Sequence, residues 1–141
     1  MSPPLIRALH RSLADTGLIL LDAPPGAACP VVATVRHADE VLLVTEPTPF
    51  GLHDLRLAVE LMRSLERPFS VVLNRAEAGR TAVRDFCQAE GVALRAEIPD
   101  DRRVAEAYSL GHLALAVPGF RDALEPLAAY AAQGLSAEAQ S

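Results

Sequence analysis

No lysine occurs anywhere in the 141 residues; all 13 basic side chains are arginine. Set against 18 acids, they leave a formal net charge of -5, which argues against general nucleic-acid binding through excess positive charge. Tryptophan is absent and aromatics are only 4%, yet half of the residues are hydrophobic. The core must therefore be aliphatic, and there is enough apolar surface to exclude disorder as the main state. Cysteine is scarce: Cys29 and Cys87 lie far apart with no CxxC pattern. That spacing supports neither a structural zinc site nor a disulfide framework, and a reducing cytoplasm is the expected compartment. Long hydrophobic runs are missing too. Leu18-Ile19-Leu20-Leu21 and Val41-Leu42-Leu43-Val44 are strand-sized, far below the ~18 residues that a membrane span needs. Behind Met1-Ser2-Pro3-Pro4 no apolar stretch of the secretory type is visible.

What is present alternates between two periods. Residues 18–21, 41–45, 69–73 and 92–98 are short Leu- or Val-rich runs followed by turn residues, and they read as strands. Between them Leu52, Leu55, Val59, Met62 and Leu65 step by three and four, marking a helix over 51–65 with one buried face. Residues 81–90 and 119–133 repeat that spacing, and the opening segment with Ile6, Leu9 and Leu13 reads as a further helix. Pro68 and Gly91 supply helix stops. Continuous apolar strands alternating with helices specify an α/β fold, a parallel sheet with helices on both faces. One domain is expected over 1–135, followed by a small polar tail at 136–141.

Ligands of such sheets collect at the carboxyl ends of the strands, so the loops there carry the chemistry. The first reads Asp22-Ala23-Pro24-Pro25-Gly26, leading to a helix opening near Cys29-Pro30. A carboxylate at a strand tip suits magnesium, which keeps its waters and takes few protein ligands. Gly26 would let a backbone N–H approach a phosphate. The same residues also read as a rigid turn with a local cap. Asn74 reads equally well as a turn residue, and Asp100-Asp101 as an N-cap with acids at a helix start.

The run ILLDAPPGAACPVVATVRHADEVLLVTEPTPFGLHDL resembles the MinD/ParA-type P-loop ATPases. It is most similar to the subgroup with an inserted ferredoxin-like domain, relatives of Mrp and the nitrogenase iron protein. VVLNRAEAG and EIPDDRRVAEAYSLG agree with later segments of that family, so the resemblance covers roughly residues 5–130. It implies a three-layer P-loop NTPase-like sheet that binds MgATP. Asp22 matches the Walker B aspartate in the outer magnesium shell, and Gly26 matches the switch glycine near the γ-phosphate. Asn74 matches the adenine-reading asparagine, while Pro99 and Asp101 match the loop that packs against the purine. Cys29 resembles the placement of a cluster-ligating cysteine; as a small residue where helix meets sheet it needs no such role. Cys87, beside Phe86 on an apolar helix face, reads as structural.

One departure is large. The family's phosphate loop, of the GKGGxGKT type, uses a lysine, and this sequence has none. The chain thus resembles the C-terminal half of such an ATPase, without the phosphate-loop strand and the insert in which an iron-sulfur cluster would sit. Three expectations follow from the resemblance. By itself the chain is a poor ATP hydrolase, since phosphate positioning and charge neutralisation dominate phosphoryl transfer. Its partner is a second copy or a complementary N-terminal ATPase portion; the alternative is a non-catalytic interaction subunit. The strands ending at Asp22 and Thr45 flank a gap, relieved by their direct pairing, by a strand from another chain, or by a partly molten sheet.

Overall fold

The computed structural model describes residues 17–26 and 29–138. After helix α1 (Cys29–Val35) the chain alternates through β1 (Val41–Thr45), α2 (Pro49–Ser64), β2 (Phe69–Ala76), α3 (Ala82–Glu90), β3 (Leu94–Pro99) and α4 (Arg102–Ser109). A 3-10 turn (Ala114–Ala116) then leads into α5 (Pro118–Glu138). The three strands form a parallel sheet in the order β1-β2-β3. Their sequences are those of strands buried on both faces, and β2 shows it: Ser70, Val71, Val72 and Leu73 are all at or below 2% exposed.

Alternation along β2 divides the core into two layers. Val71 and Leu73 pack with Leu55 and Val59 of α2 and with Val83 and Cys87 of α3. On the opposite face Val72 joins Ala96 and Ile98 of β3 against Phe120, Ala123, Leu124 and Leu127 of α5. Helix α1 extends the first layer through Val31 and Val35 against Met62. Buried Ser70 donates its hydroxyl to Glu40 Oε1 at 2.8 Å, so its burial leaves no unpaired oxygen. The aliphatic, two-faced core expected from composition is what forms.

The helix boundaries follow local chemistry. Thr48 caps α2 by accepting the Gly51 N–H, and Pro49 occupies the first turn, where a missing N–H costs nothing. Gly91 ends α3 at φ 65°, a left-handed cap that glycine adopts without Cβ strain. Asp101 caps α4 through the Arg103 N–H. The opening helix read around Ile6, Leu9 and Leu13 lies outside the described residues.

One expected strand is corrected. Residues 18–21 join no ladder, and the stretch from 18 to 24 has no regular secondary structure. Leu18 is 52% and Leu20 81% exposed. A strand exists by pairing, and among the described residues this run has no neighbour to pair with. Of the ways to relieve the gap, direct pairing of 18–21 with β1 is therefore not what occurs.

Strand β1 is consequently an edge among the described residues. Val41 donates its N–H to Pro68 O on the β2 side at 3.0 Å. By alternation, the N–H and C=O groups of Leu42 and Val44 face away from β2. Their side chains are 41% and 65% exposed, on a strand without a charge, proline or bulge to blunt it.

Candidate functional site

The carboxyl ends of β1, β2 and β3 lie side by side, because parallel pairing aligns Thr45 with Leu73 and Ala76 with Pro99. The loops that leave these ends are tied together. After β1, buried Thr45 donates its hydroxyl to Gly51 O at 2.9 Å, while Thr48 Oγ1 accepts the Gly51 N–H, also at 2.9 Å. Helix α2 thereby starts flush against the loop. A Cβ on Gly51 would lie 2.4 Å from Glu46 O, so glycine is required here by close approach rather than by backbone angle. The Thr-Glu-Pro-Thr-Pro-Phe-Gly sequence is in this sense a device for docking a helix N-terminus on a strand end.

Two arginines link that loop to its neighbours. Arg80 donates to Pro47 O at 3.2 Å. Arg75, following Asn74, donates through Nε to Asp100 Oδ1 at 3.3 Å and stands 3.8 Å from Glu46 Oε1. The Asp100 N–H donates to Ala76 O at 3.2 Å. Asn74, Pro99 and Asp100 are thus held in one neighbourhood by the β2–β3 pairing. Asn74 is half-buried, and no side-chain hydrogen bond engages its amide among the described residues. Asp101 is the N-cap of α4, accepting from the Arg103 N–H at 2.9 Å and from its guanidinium. Those hydrogen bonds, side chain first, hold the Asp101 carboxyl below the usual range. The capping geometry among the two sequence readings is therefore present.

Asp22 and Gly26 lie elsewhere on the chain, in the irregular stretch before α1. Gly26 has φ 95°, where a side chain would strain the backbone. Asp22 is exposed; no hydrogen bond or ion pair among the described residues ties it to Asn74 or Asp101. The strand that was to present it does not form, so Asp22 sits in an irregular stretch rather than at a strand tip. Cys29 is exposed at the start of α1, whereas Cys87 is buried on α3, with burial pushing its thiol up. No cluster of three or more His, Cys, Asp or Glu side chains able to hold a metal ion occurs among the described residues. Cluster ligation generally takes four thiolates, and one exposed cysteine falls short of that set.

Sequence reasoning missed Glu46 and Arg75. The residue type at 75 gave no signal, because its left-handed backbone (φ 53°) and its two carboxylate neighbours are products of the fold. A cavity of about 110 Å³ between α2 and α3, lined by Arg56, Arg63, Phe86 and Glu90 among others, is at the far end of α2 from these loops. It is well below the ~300 Å³ of a typical ligand pocket. No helix among the described residues is long and apolar enough to cross a membrane.

No family model matches the chain. Among curated proteins, Uncharacterized protein MJ0579 of Methanocaldococcus jannaschii is 33% identical over 109 residues, covering 77% of this chain and 37% of that protein. An iron-sulfur cluster carrier protein of Pyrococcus horikoshii is 26% identical over 129 residues, covering 77% of this chain and 44% of its own. Among solved structures, the cell division ATPase MinD of Pyrococcus furiosus superposes with a TM-score of 0.72 at 26% identity, covering 95% of this chain and 59% of its own. The MinD cell division protein of Aquifex aeolicus gives 0.68 at 19% identity, with 94% and 58% covered. The chain thus spans less than half the length of these curated relatives.

Proposed function

From its standing as a relative of the MinD/ParA-type P-loop ATPases, matching the C-terminal half of their fold, we propose that the chain forms the base-binding side of a MinD-like ATP-binding and ATP-hydrolysing protein. The observation that carries this is the junction of the β2 and β3 ends: Asn74, whose amide makes no side-chain hydrogen bond among the described residues, stands two positions before Ala76, which pairs with Pro99 and accepts the Asp100 N–H. An amide carries both a donor and an acceptor, the pair that an adenine edge offers in complement. Asn74 would bind and orient the base, with Pro99 and the Asp101 turn packing beside it.

The remaining candidates would serve the phosphate end. Asp22 would hold magnesium-bound water through its exposed carboxylate, and the left-handed Gly26 would offer its N–H to the terminal phosphate. Magnesium, when bound, supplies the charge neutralisation that phosphoryl transfer requires. Without lysine, the described residues do not furnish a phosphate loop, and turnover would depend on further polypeptide. The open edge of β1, with the Leu42 and Val44 backbone groups turned outward, suits pairing with a complementary ATPase portion or a second copy. The iron-sulfur carrier relatives support a link to cluster or electron-transfer chemistry for the complete protein, with Cys29 as the accessible thiol in this part.

A non-catalytic interaction subunit is the second reading, favoured by the uncovered apolar residues of β1. Calorimetric titration separates the two. In a complex with a phosphate-loop-bearing portion, Asn74→Ala should weaken ATP about tenfold or more, the scale of one lost buried hydrogen-bonding group. Equal affinities would overturn the base-binding assignment, and absence of any nucleotide binding would favour the interaction subunit.

A further inference from the structure

Arg75 stands where the β2–β3 ladder breaks. The register slips between Leu73 and Ala76, and Arg75 is held at φ 53°, left-handed backbone that a residue with a Cβ adopts against strain. Such a conformation persists only where the surroundings over-determine it. Here the surroundings are two carboxylates on different loops: Asp100, after β3, accepts from Nε at 3.3 Å, and Glu46, after β1, lies 3.8 Å from the terminal nitrogen. One guanidinium on β2 therefore spans the carboxyl ends of all three strands. Immediately before it is Asn74, half-buried and without a side-chain hydrogen bond among the described residues.

We propose that Arg75 is a positioning residue for base selection: its ion pairs to Glu46 and Asp100 hold the left-handed turn that sets where the Asn74 amide stands. This rests on the nucleotide reading above. The planar fork matters, because its nitrogens reach two acceptors in fixed directions, whereas an ammonium on a flexible stem is a single point charge. Substitution should therefore change which base is preferred more than it changes stability. Arg75→Gly tests this well, since glycine removes both the ion pairs and the backbone strain and should melt no lower than the parent.

The experiment titrates the isotope-labelled full chain, in complex with a phosphate-loop-bearing portion, with adenosine monophosphate and, separately, guanosine monophosphate, following backbone amide shifts by NMR. The parent should prefer the adenine nucleotide. Arg75→Gly and Asp100→Asn should each reduce that preference about fivefold or more, the effect of one misplaced hydrogen-bonding group, with Arg75→Lys in between. Asp100→Asn leaves the Arg75 backbone untouched, so it decides the matter if the glycine variant folds poorly. A parent that prefers adenine, together with variants that keep its preference, overturns this proposal alone. A parent that binds both nucleotides equally, or neither, overturns the nucleotide reading and this proposal with it.

Discussion

Replacing Gly51 by alanine adds one methyl group at the point where α2 meets the end of β1, and the geometry indicates what it will cost. The new Cβ would lie 2.4 Å from Glu46 O, 3.1 Å from Thr45 Oγ1 and 3.2 Å from Glu46 N. Real Cβ contacts begin near 3.0 Å, so backbone must yield by about 0.6 Å against the carbonyl. Neither side is a flexible side-chain end that could swing away. Overpacking of this kind costs ~1–3 kcal/mol. The displacement also stretches the two 2.9 Å hydrogen bonds that Thr45 and Thr48 make to Gly51, each contributing ~0.5–1.5 kcal/mol. Alanine's better helix propensity returns about 1 kcal/mol. A net loss of roughly 2–4 kcal/mol is expected from these contributions. With a urea dependence of ~1–3 kcal/mol per molar, the unfolding midpoint should fall by about 1 M or more. The control is the same substitution at Gly119 in α5, where the nearest atom is Arg103 Nη2 at 3.9 Å. There alanine should be neutral or stabilise by ~0.4–1 kcal/mol, by restricting the unfolded chain. An unchanged midpoint for Gly51→Ala, or equal losses at the two sites, would refute the close-approach argument.

Acid should weaken the fold partly through Glu97, whose carboxyl is held below its ordinary 4.5 by hydrogen bonds from Arg84. Its stabilising contribution is complete above that value and is lost as pH falls through the depressed one, so Glu97→Gln should flatten the stability profile in that range, checked by urea melts at stepped pH. Thiol labelling should distinguish the cysteines: Cys29, exposed, reacts in the native state, whereas Cys87 reacts only on unfolding, and equal rates would contradict its burial. The edge of β1 predicts self-association at high concentration, relieved by Val44→Lys on sizing columns, because an apolar unblunted edge favours pairing. A sharp monomer peak for the parent would count against that.

The apolar periodicity was sufficient for most of the architecture. Leu55, Val59 and Met62 at helical spacing had to face a core, and Val71-Val72-Leu73 had to be covered on both sides; both are so. The two prolines and Gly26 marked a turn that indeed needs a left-handed glycine. Helix propensity and burial patterns act over a few residues, which is why the sequence carries them. Residues 18–21 show the limit. Leu18-Ile19-Leu20-Leu21 has the composition of a buried strand, but a strand is made by its neighbours, and only the assembled sheet decides whether a neighbour is there. The same holds for the ends of the strands. Nothing in the local sequence of Arg75 announces its φ of 53° or its two carboxylates. Glu46, Arg75 and Asp100 are distant in sequence and meet only because three parallel strands end side by side.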